Sequence, residues 1–507
     1  MRLSELLRRA QLDVTVPEAD VEVTAVTDRS NVVAPGSLFV AIRGVEADGH
    51  AFIGEAVRSG AVAVVGTKRR PDEAGSAIYL RVSDARVALA RLLHAFHDFP
   101  MRDMLVIGIT GTNGKSTTAY LIEAILTAAG RRPGLIGTIE NRCGAASEMA
   151  AHTTPHPAIL IRYAEEMRRA GADALVMEVS SHALVQHRVE CVPFRVAVLT
   201  NVTHDHFDFH GTREAYIEAK WKFFAEVLPH SPDGVAVFNL DDPVGVEFNR
   251  RYRSGTGFQP PMGRILTYGS DPAANVRLRA LESDRSGMRL MVEVPGGTRS
   301  VRTHLCGDYN VANLLAAVAA GLGADLPLDA IVAGIESLRG VPGRFERVVT
   351  DAPFDIYVDF AHTPDALDHV LESARRLVGA GRLLCVFGAG GDRDPTKRGP
   401  MGAAVARHAD RAVITKDNCR FEDPHRIAAA VAAGMAAAPQ PRCRWDIVLD
   451  RGEAIRTALS EARSGDLVLI AGKGHELYES EGGQLRPWDD RAVVRDLLAE
   501  LKMKDER

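Results

Sequence analysis

The sequence predicts an α/β chain of parallel sheets with helices on both faces, and three observations predict it. Apolar runs of strand length alternate with helical segments on both sides of residue 340. The stretch Leu105 to Ala119, LVIGITGTNGKSTTA, joins a buried strand, a glycine turn and a helix start. A chain of 507 residues also exceeds what one core can fill, so two to four domains are expected.

Residues 1–100 form the first expected domain. MRLSELLRRAQLDV lacks the long apolar core of a signal peptide and reads as an amphipathic helix. VEVTAVTDRS and PGSLFVAIRG follow, then Ala56 to Ser59 as helix and Ala61 to Val65 as strand, with HDFPMRDM as linker. The second domain, 101–340, carries the phosphate-loop strand and apolar strands at Ala174 to Val179, Val196 to Thr200 and Val235 to Phe238. RSGTGFQPPMGR reads as a long loop, Asn275 to Val301 as β-hairpins, and DYNVANLLAAVAAGL as a helix. RGVPGRFERV, rich in Gly and Pro, marks the next boundary. Beyond it, 341–507 reads as a doubly wound sheet with strands in IYVDF, RLLCVFGAGG, RAVITKD and DLVLIAGKG, and with Ile427 to Ala438 as a core helix.

Composition excludes several classes. The chain is 46% hydrophobic and 25% charged, with a net charge of −5, which gives no general reason to expect nucleic acid or an acidic membrane surface. No run reaches the ~18 apolar residues expected of a membrane span. Six cysteines without a CxxC pair suit free thiols in a reducing cytosol, so the expected location is cytoplasmic.

Polar residues just after the strands are the candidate site residues. In Gly111, Thr112, Asn113, Gly114, Lys115, Ser116 and Thr117, first-turn N–H groups and the helix dipole favour an anion. Lys115 adds a mobile cation and Ser116 a hydroxyl for Mg²⁺. The general P-loop pattern wants a glycine where Ile109 stands, so this loop is a shorter form, and an ordinary glycine turn is the alternative. Glu178, at a strand end, is placed to hold Mg²⁺ opposite Ser116; the alternative is a solvated turn. His204, His206 and Asp208 are close to a zinc-hydrolase run, but Phe209 stands where that run wants histidine, and a single magnesium-contacting histidine fits better. Thr212 is an expected N-cap for TREAYIEAKWKFFAEV. Lys220, on that helix, reads by itself as a lysine whose stem covers apolar surface while its head reaches water. Arg393, Arg420 and Glu476, at three strand ends of the last domain, suit the carboxylate and ammonium of an amino acid.

GTNGKST, HTTP, MEVSSHALVQHR, TNVTHDHFDFHG, AKW, GRFE, DFAHTPDAL, FGAGGDRD, DNCRFEDP and GKGHE occur in one order across nearly the whole chain. Together they resemble the Mur ligase family, and within it the members that extend UDP-N-acetylmuramoyl-L-alanyl-D-glutamate. The resemblance implies three domains: one for the UDP sugar, a central P-loop ATPase-like parallel sheet, and a mobile, doubly wound domain for the incoming amino acid. It implies ATP and Mg²⁺, small-molecule substrates, a monomer, and a place in peptidoglycan precursor synthesis.

Residue by residue, the resemblance assigns Ser30, Val45, Glu46 and Ala47 to the uridine end. It assigns Thr153, Thr154, Ser180, Gln186 and Arg188 to the muramoyl-dipeptide. Asn313, Arg344, Asp359 and His362 would surround the nucleotide, and Glu178 and His206 would position Mg²⁺. Lys220 matches a lysine that becomes carbamylated and so turns into an anionic metal ligand. Arg393, Asp417, Asn418, Arg420, Gly472 and Glu476 would hold the amino acid. Members using meso-diaminopimelate resemble D-N-P-R, and Asp417, Asn418, Cys419, Arg420 keep the arginine, which favours that substrate over L-lysine. Cys419 in place of proline loosens the turn, and Asn31 stands where the family often has a basic residue.

Overall fold

The computed structural model describes residues 1–15, 19–44, 47–203, 207–255, 263–439 and 443–505. Their apolar runs assemble into three main sheets of four, eleven and six strands.

The first sheet is wholly parallel: Ala25–Thr27, Ser37–Val40, Ala63–Gly66 and Ile78–Arg81 pair in chain order. The helix Ile53–Arg58 starts earlier than the sequence suggests, and the following strand lies slightly later.

The central sheet places the phosphate-loop strand Leu105–Thr110 between Ala174–Glu178 and Phe194–Leu199, all parallel. Pro133–Ile136 extends it on one side, and Val235–Asn239 and Arg264–Gly269 on the other. The expected hairpins appear at Val276–Asp284, Gly287–Val294 and Gly297–Thr303. A second antiparallel edge, Glu140–Cys143 with Ala146–Met149, was not legible in the sequence. Ala146–Met149 is exposed along its length, so ASEM lacks the apolar alternation that marks a half-buried strand. Residues 256–262 of the expected long loop lie outside the described residues.

Asp355–Asp359, Leu467–Ala471, Leu383–Phe387, Arg411–Ile414 and Arg444–Ile447 lie parallel in that spatial order in the third sheet. Leu467–Ala471, the last of these five in the chain, thus inserts between Asp355–Asp359 and Leu383–Phe387. Such a reversal opens a crevice at the carboxyl ends of the strands. A hairpin not expected from the sequence, Tyr478–Glu481 with Gln484–Pro487, lies beyond them.

One apolar cluster runs from Leu3 and Leu38 through Met101 to Phe194 and Phe248, joining the first sheet to one face of the central sheet. HDFPMRDM is therefore a packed connection: Met101 is fully buried, and Asp98 and Phe99 turn the chain at positive φ. A second cluster covers the opposite central face, and two more cover the faces of the third sheet.

Candidate functional site

The strand Leu105–Thr110 delivers the chain to a glycine turn, and the helix Lys115–Ala128 begins directly after it. Thr112 N–H donates to Asn201 O at 2.8 Å and Asn113 N–H to Asn201 Oδ1 at 3.0 Å, so the neighbouring strand end shapes the loop. Gly114 adopts φ +86°, and a Cβ there would lie 2.1 Å from Asn313 Oδ1. Only glycine fits both demands. Thr112 to Thr117, with Thr138, Glu178 and Arg344, line a cavity of 70 Å³. A helix N-terminus at such a wall favours an anion.

Two lysines converge on this loop. Lys115 Nζ donates to Gly111 O at 3.0 Å and to Thr112 O at 2.8 Å. Lys220 Nζ donates to the same Gly111 carbonyl at 2.9 Å. Lys220 is only 1% exposed, which excludes the surface reading in which its head reaches water. Its ammonium lies 4.5 Å from the centre of the Tyr216 ring, a cation–π contact, and the Tyr216 hydroxyl meets Thr112 Oγ1 at 3.0 Å. Thr212 caps the helix as expected, accepting from Ala215 N–H at 3.1 Å. After Lys222 the helix widens into a π-helical turn, Phe223–Val227, a device common at functional sites. Sequence reading missed Tyr216 and Asn201, although Asn201 follows a strand directly and could have been found there.

Glu178 ends the other neighbouring strand and is buried. It is no solvated turn residue. Its carboxylate accepts from Thr138 N–H at 2.8 Å and Thr138 Oγ1 at 2.9 Å, and Thr138 Oγ1 meets Thr153 Oγ1 at 3.1 Å. Thr154 Oγ1 donates to Glu178 O and accepts from Ser180 N–H. Arg188 holds Gln186 Oε1 at 2.7 Å and Thr154 O at 2.7 Å. A polar ridge thus leads from Glu178 toward the first sheet. There Gln186, Ser30, Asn31 and Ala47 share a 430 Å³ cavity with Arg86 and His156. Val45 and Glu46 lie outside the described residues.

The chain enters the third sheet beside the loop. Arg344 donates to Ser116 Oγ at 3.3 Å and lies 4.8 Å from the centre of the Phe360 ring. Asp359 accepts from Phe345 N–H at 2.6 Å and Ala361 N–H at 2.7 Å, so it fixes the backbone on either side of this entry. Burial pushes its carboxyl above the ordinary value against the pull of Arg344. Asn113 Nδ2 reaches Asp365 Oδ2 at 3.3 Å, and Asn313 Oδ1 accepts from Thr118 Oγ1 at 3.4 Å.

At the carboxyl ends of the third sheet, Arg393, Asp417, Asn418, Arg420, Gly472 and Glu476 all line one cavity of 720 Å³, with His362 and Tyr478. His182 of the central region also lines it. Glu476 Oε2 accepts from Asn418 Nδ2 at 2.7 Å, and Lys473, fully buried, donates to Asn418 Oδ1 at 2.9 Å. Burial and then Asp417 push Glu476 above the usual carboxylate value. Burial pushes Asp417 up as well, but Lys473 and Arg451 outweigh it and hold that carboxyl below. Arg420 adopts φ +54°, and its Nη1 donates to Gly391 O at 2.6 Å.

Residues 22–97 match the Mur ligase family catalytic domain, 109–321 the Mur ligase middle domain, and 343–474 the Mur ligase glutamate ligase domain. A protein of Synechococcus elongatus named UDP-N-acetylmuramoyl-L-alanyl-D-glutamate--2,6-diaminopimelate ligase is 42% identical over 509 residues, covering 99% of each chain. The chain belongs to the Mur ligase family. A protein of Syntrophomonas wolfei with the same name is 39% identical over 98% of this chain and 99% of its own. A solved structure of a ligase of that name superposes with a TM-score of 0.71 at 31% identity, covering 99% of this chain and 100% of that one.

In this Mur ligase the Cys419 turn is supported from outside. Arg420 N–H donates to Ser480 O at 3.0 Å and Gly482 N–H to Arg420 O at 2.6 Å, so the hairpin at Tyr478–Pro487 holds the turn that proline would otherwise stiffen. The Cys419 thiol is buried, and burial pushes it up to about 11.

Ser116 and the buried carboxylate of Glu178 stand at one small cavity, an oxygen donor set that fits Mg²⁺. His206 and His204 lie outside the described residues, as does the side chain of Asp208, so the zinc run is not described. Among the described residues, no group of three or more His, Cys, Asp or Glu is placed to hold a metal, and no helix is long and apolar enough to cross a membrane.

Proposed function

We propose that this Mur ligase adds meso-2,6-diaminopimelate to the D-glutamyl γ-carboxylate of UDP-N-acetylmuramoyl-L-alanyl-D-glutamate at the expense of ATP. The observation that carries the reading is the 720 Å³ cavity, where Arg393 and Arg420 stand with Asp417 and Glu476. Two guanidinium groups and two carboxylates suit an amino acid with two carboxylates and two ammonium groups. The names of the full-length relatives agree with it.

A carboxylate is a poor electrophile and must first be activated. The γ-carboxylate attacks the ATP γ-phosphate in line, giving an acyl phosphate and ADP, while Lys115 and the first turn of its helix stabilise the transferring phosphoryl group. The amine of the incoming amino acid then attacks the acyl carbonyl, loses a proton, and expels phosphate to leave the amide. Ser116, Glu178, His206 and carbamylated Lys220 would hold Mg²⁺, which would supply charge neutralisation. Thr153, Thr154, Ser180, Gln186 and Arg188 orient the dipeptide, Ser30 and the Val45 to Ala47 backbone the uridine end, and Asn313, Arg344 and Asp359 the nucleotide, while His362, expected beside the nucleotide, stands on the wall of the amino-acid cavity. The working units are 1–100, 101–340 and 341–507. In this reading the enzyme works as a monomer in the cytoplasm, a compartment that the six free thiols fit.

The test is phosphate release with the UDP-muramoyl-dipeptide, ATP, Mg²⁺ and a panel of amino acids. Turnover restricted to meso-diaminopimelate supports the reading; turnover with L-lysine at least as fast overturns the amino-acid assignment. Stoichiometric zinc in protein purified without added metal favours a hydrolase instead.

A further inference from the structure

Arg451 opens the helix Arg451–Glu461, yet its side chain and that of Asp490 are both 0% exposed. Its Nε and Nη2 meet the two Asp490 carboxylate oxygens at 2.8 and 2.7 Å, a bidentate fork, and Trp488 Nε1 donates to the same carboxylate at 2.8 Å. Nη2 also donates to Ala471 O at 3.1 Å, and Nη1 reaches Lys416 O at 3.4 Å.

Those two carbonyls directly precede Gly472 and Asp417, both on the wall of the amino-acid cavity. They follow or end the strands Arg411–Ile414 and Leu467–Ala471, which are not neighbours, since Leu383–Phe387 lies between them. No ladder of backbone hydrogen bonds sets one strand end against the other. The guanidinium does, together with Lys473 Nζ, which reaches Asn418 Oδ1 at 2.9 Å. A tight fit is visible at the same place: a Cβ on Gly472, at φ +113°, would lie 2.7 Å from Asp417 Oδ2. A buried ion pair is often no more stabilising than an apolar pair of similar volume, so stability alone gives little account of this one.

We infer that Arg451, held by Asp490, is a positioning residue that fixes the spacing between the Asp417 and Gly472 walls and thereby the fit of the incoming amino acid. This rests on the reading of the cavity as the amino-acid site. Its positive charge also helps, after Lys473, to keep buried Asp417 ionised against desolvation.

The test compares wild type with the double variant Arg451→Met/Asp490→Leu, which removes both charges at similar volume, and with Arg451→Lys. Lysine keeps the charge but loses the planar fork that reaches both carbonyls. KM for meso-diaminopimelate should rise about tenfold or more in both, with KM for ATP within about twofold of wild type. Thermal unfolding of each variant is followed in parallel. Wild-type KM for the amino acid in the double variant, or an equal rise in both KM values, overturns the inference; if the double variant does not fold, Arg451→Lys is judged by the same criterion. Wild-type protein that turns over no amino acid overturns the reading of the cavity and this inference with it, whereas active wild type with unaffected variants overturns the inference alone.

Discussion

At the phosphate loop, the groups offered to a ligand are a glycine turn and a helix end, Gly114 to Thr117; in the cavity of the third sheet they are side chains, Arg393, Asp417, Arg420 and Glu476, gathered from three strand ends. The first is local. Backbone geometry between residues 110 and 118 makes most of it, with Asn201 and Asn313 as braces. The second depends on buried charges behind its walls, Lys473 and the Arg451–Asp490 pair, and on a hairpin that holds the Arg420 turn. Backbone sites recognise what all nucleotides share, while side-chain sites discriminate, because their charges can be placed one at a time.

Substitutions can break that contrast. Lys115→Ala should have the largest effect, lowering kcat by at least about 10²–10³-fold with every amino acid offered, since it removes charge stabilisation of the transferring phosphate. Steady-state phosphate release checks it, and a loss confined to one amino acid would count against the division of labour. Arg420→Ala should instead lower kcat/KM for meso-diaminopimelate by about 30–100-fold, leaving KM for ATP near wild type, as expected for losing one partner of a charge pair.

Gly114→Ala tests whether the loop is a backbone device. The left-handed φ alone costs about 1–2 kcal/mol. The clash with Asn313 Oδ1 adds to it, so KM for ATP should rise about tenfold.

The smallest effect is a pH dependence of the cavity. Burial raises the Glu476 carboxyl, so as pH falls through that raised value Glu476 takes up a proton and can no longer pair with an ammonium. KM for the amino acid should climb by up to about tenfold per pH unit on the acid side, and Glu476→Gln should flatten this limb while leaving KM for ATP with its own pH profile.

Much of the molecule was legible before folding. Strands such as LVIGIT, ALVME and LVLIA are continuous apolar runs because parallel strands are covered on both faces, and GTNGKS announces its own turn and helix. Periodicity also exposed the hairpins near 276–303, whereas ENRC and ASEM, polar strands at a sheet edge, left no such trace. Strand ends pointed to Glu178, Arg420 and Glu476, but local pattern gave no reason to bury Lys220.

The sequence by itself determined the α/β class, the phosphate turn and, through ten motifs in order, the family, because these depend on neighbours within a few residues or on inherited order. Only the tertiary structure decided that Lys115 and Lys220 share the Gly111 carbonyl and that Tyr216 braces Thr112. It alone decided that Arg451 ties together the ends of two strands that are not neighbours in their sheet. Those contacts join residues far apart in the chain, and no local propensity encodes which of many possible partners a buried charge will meet.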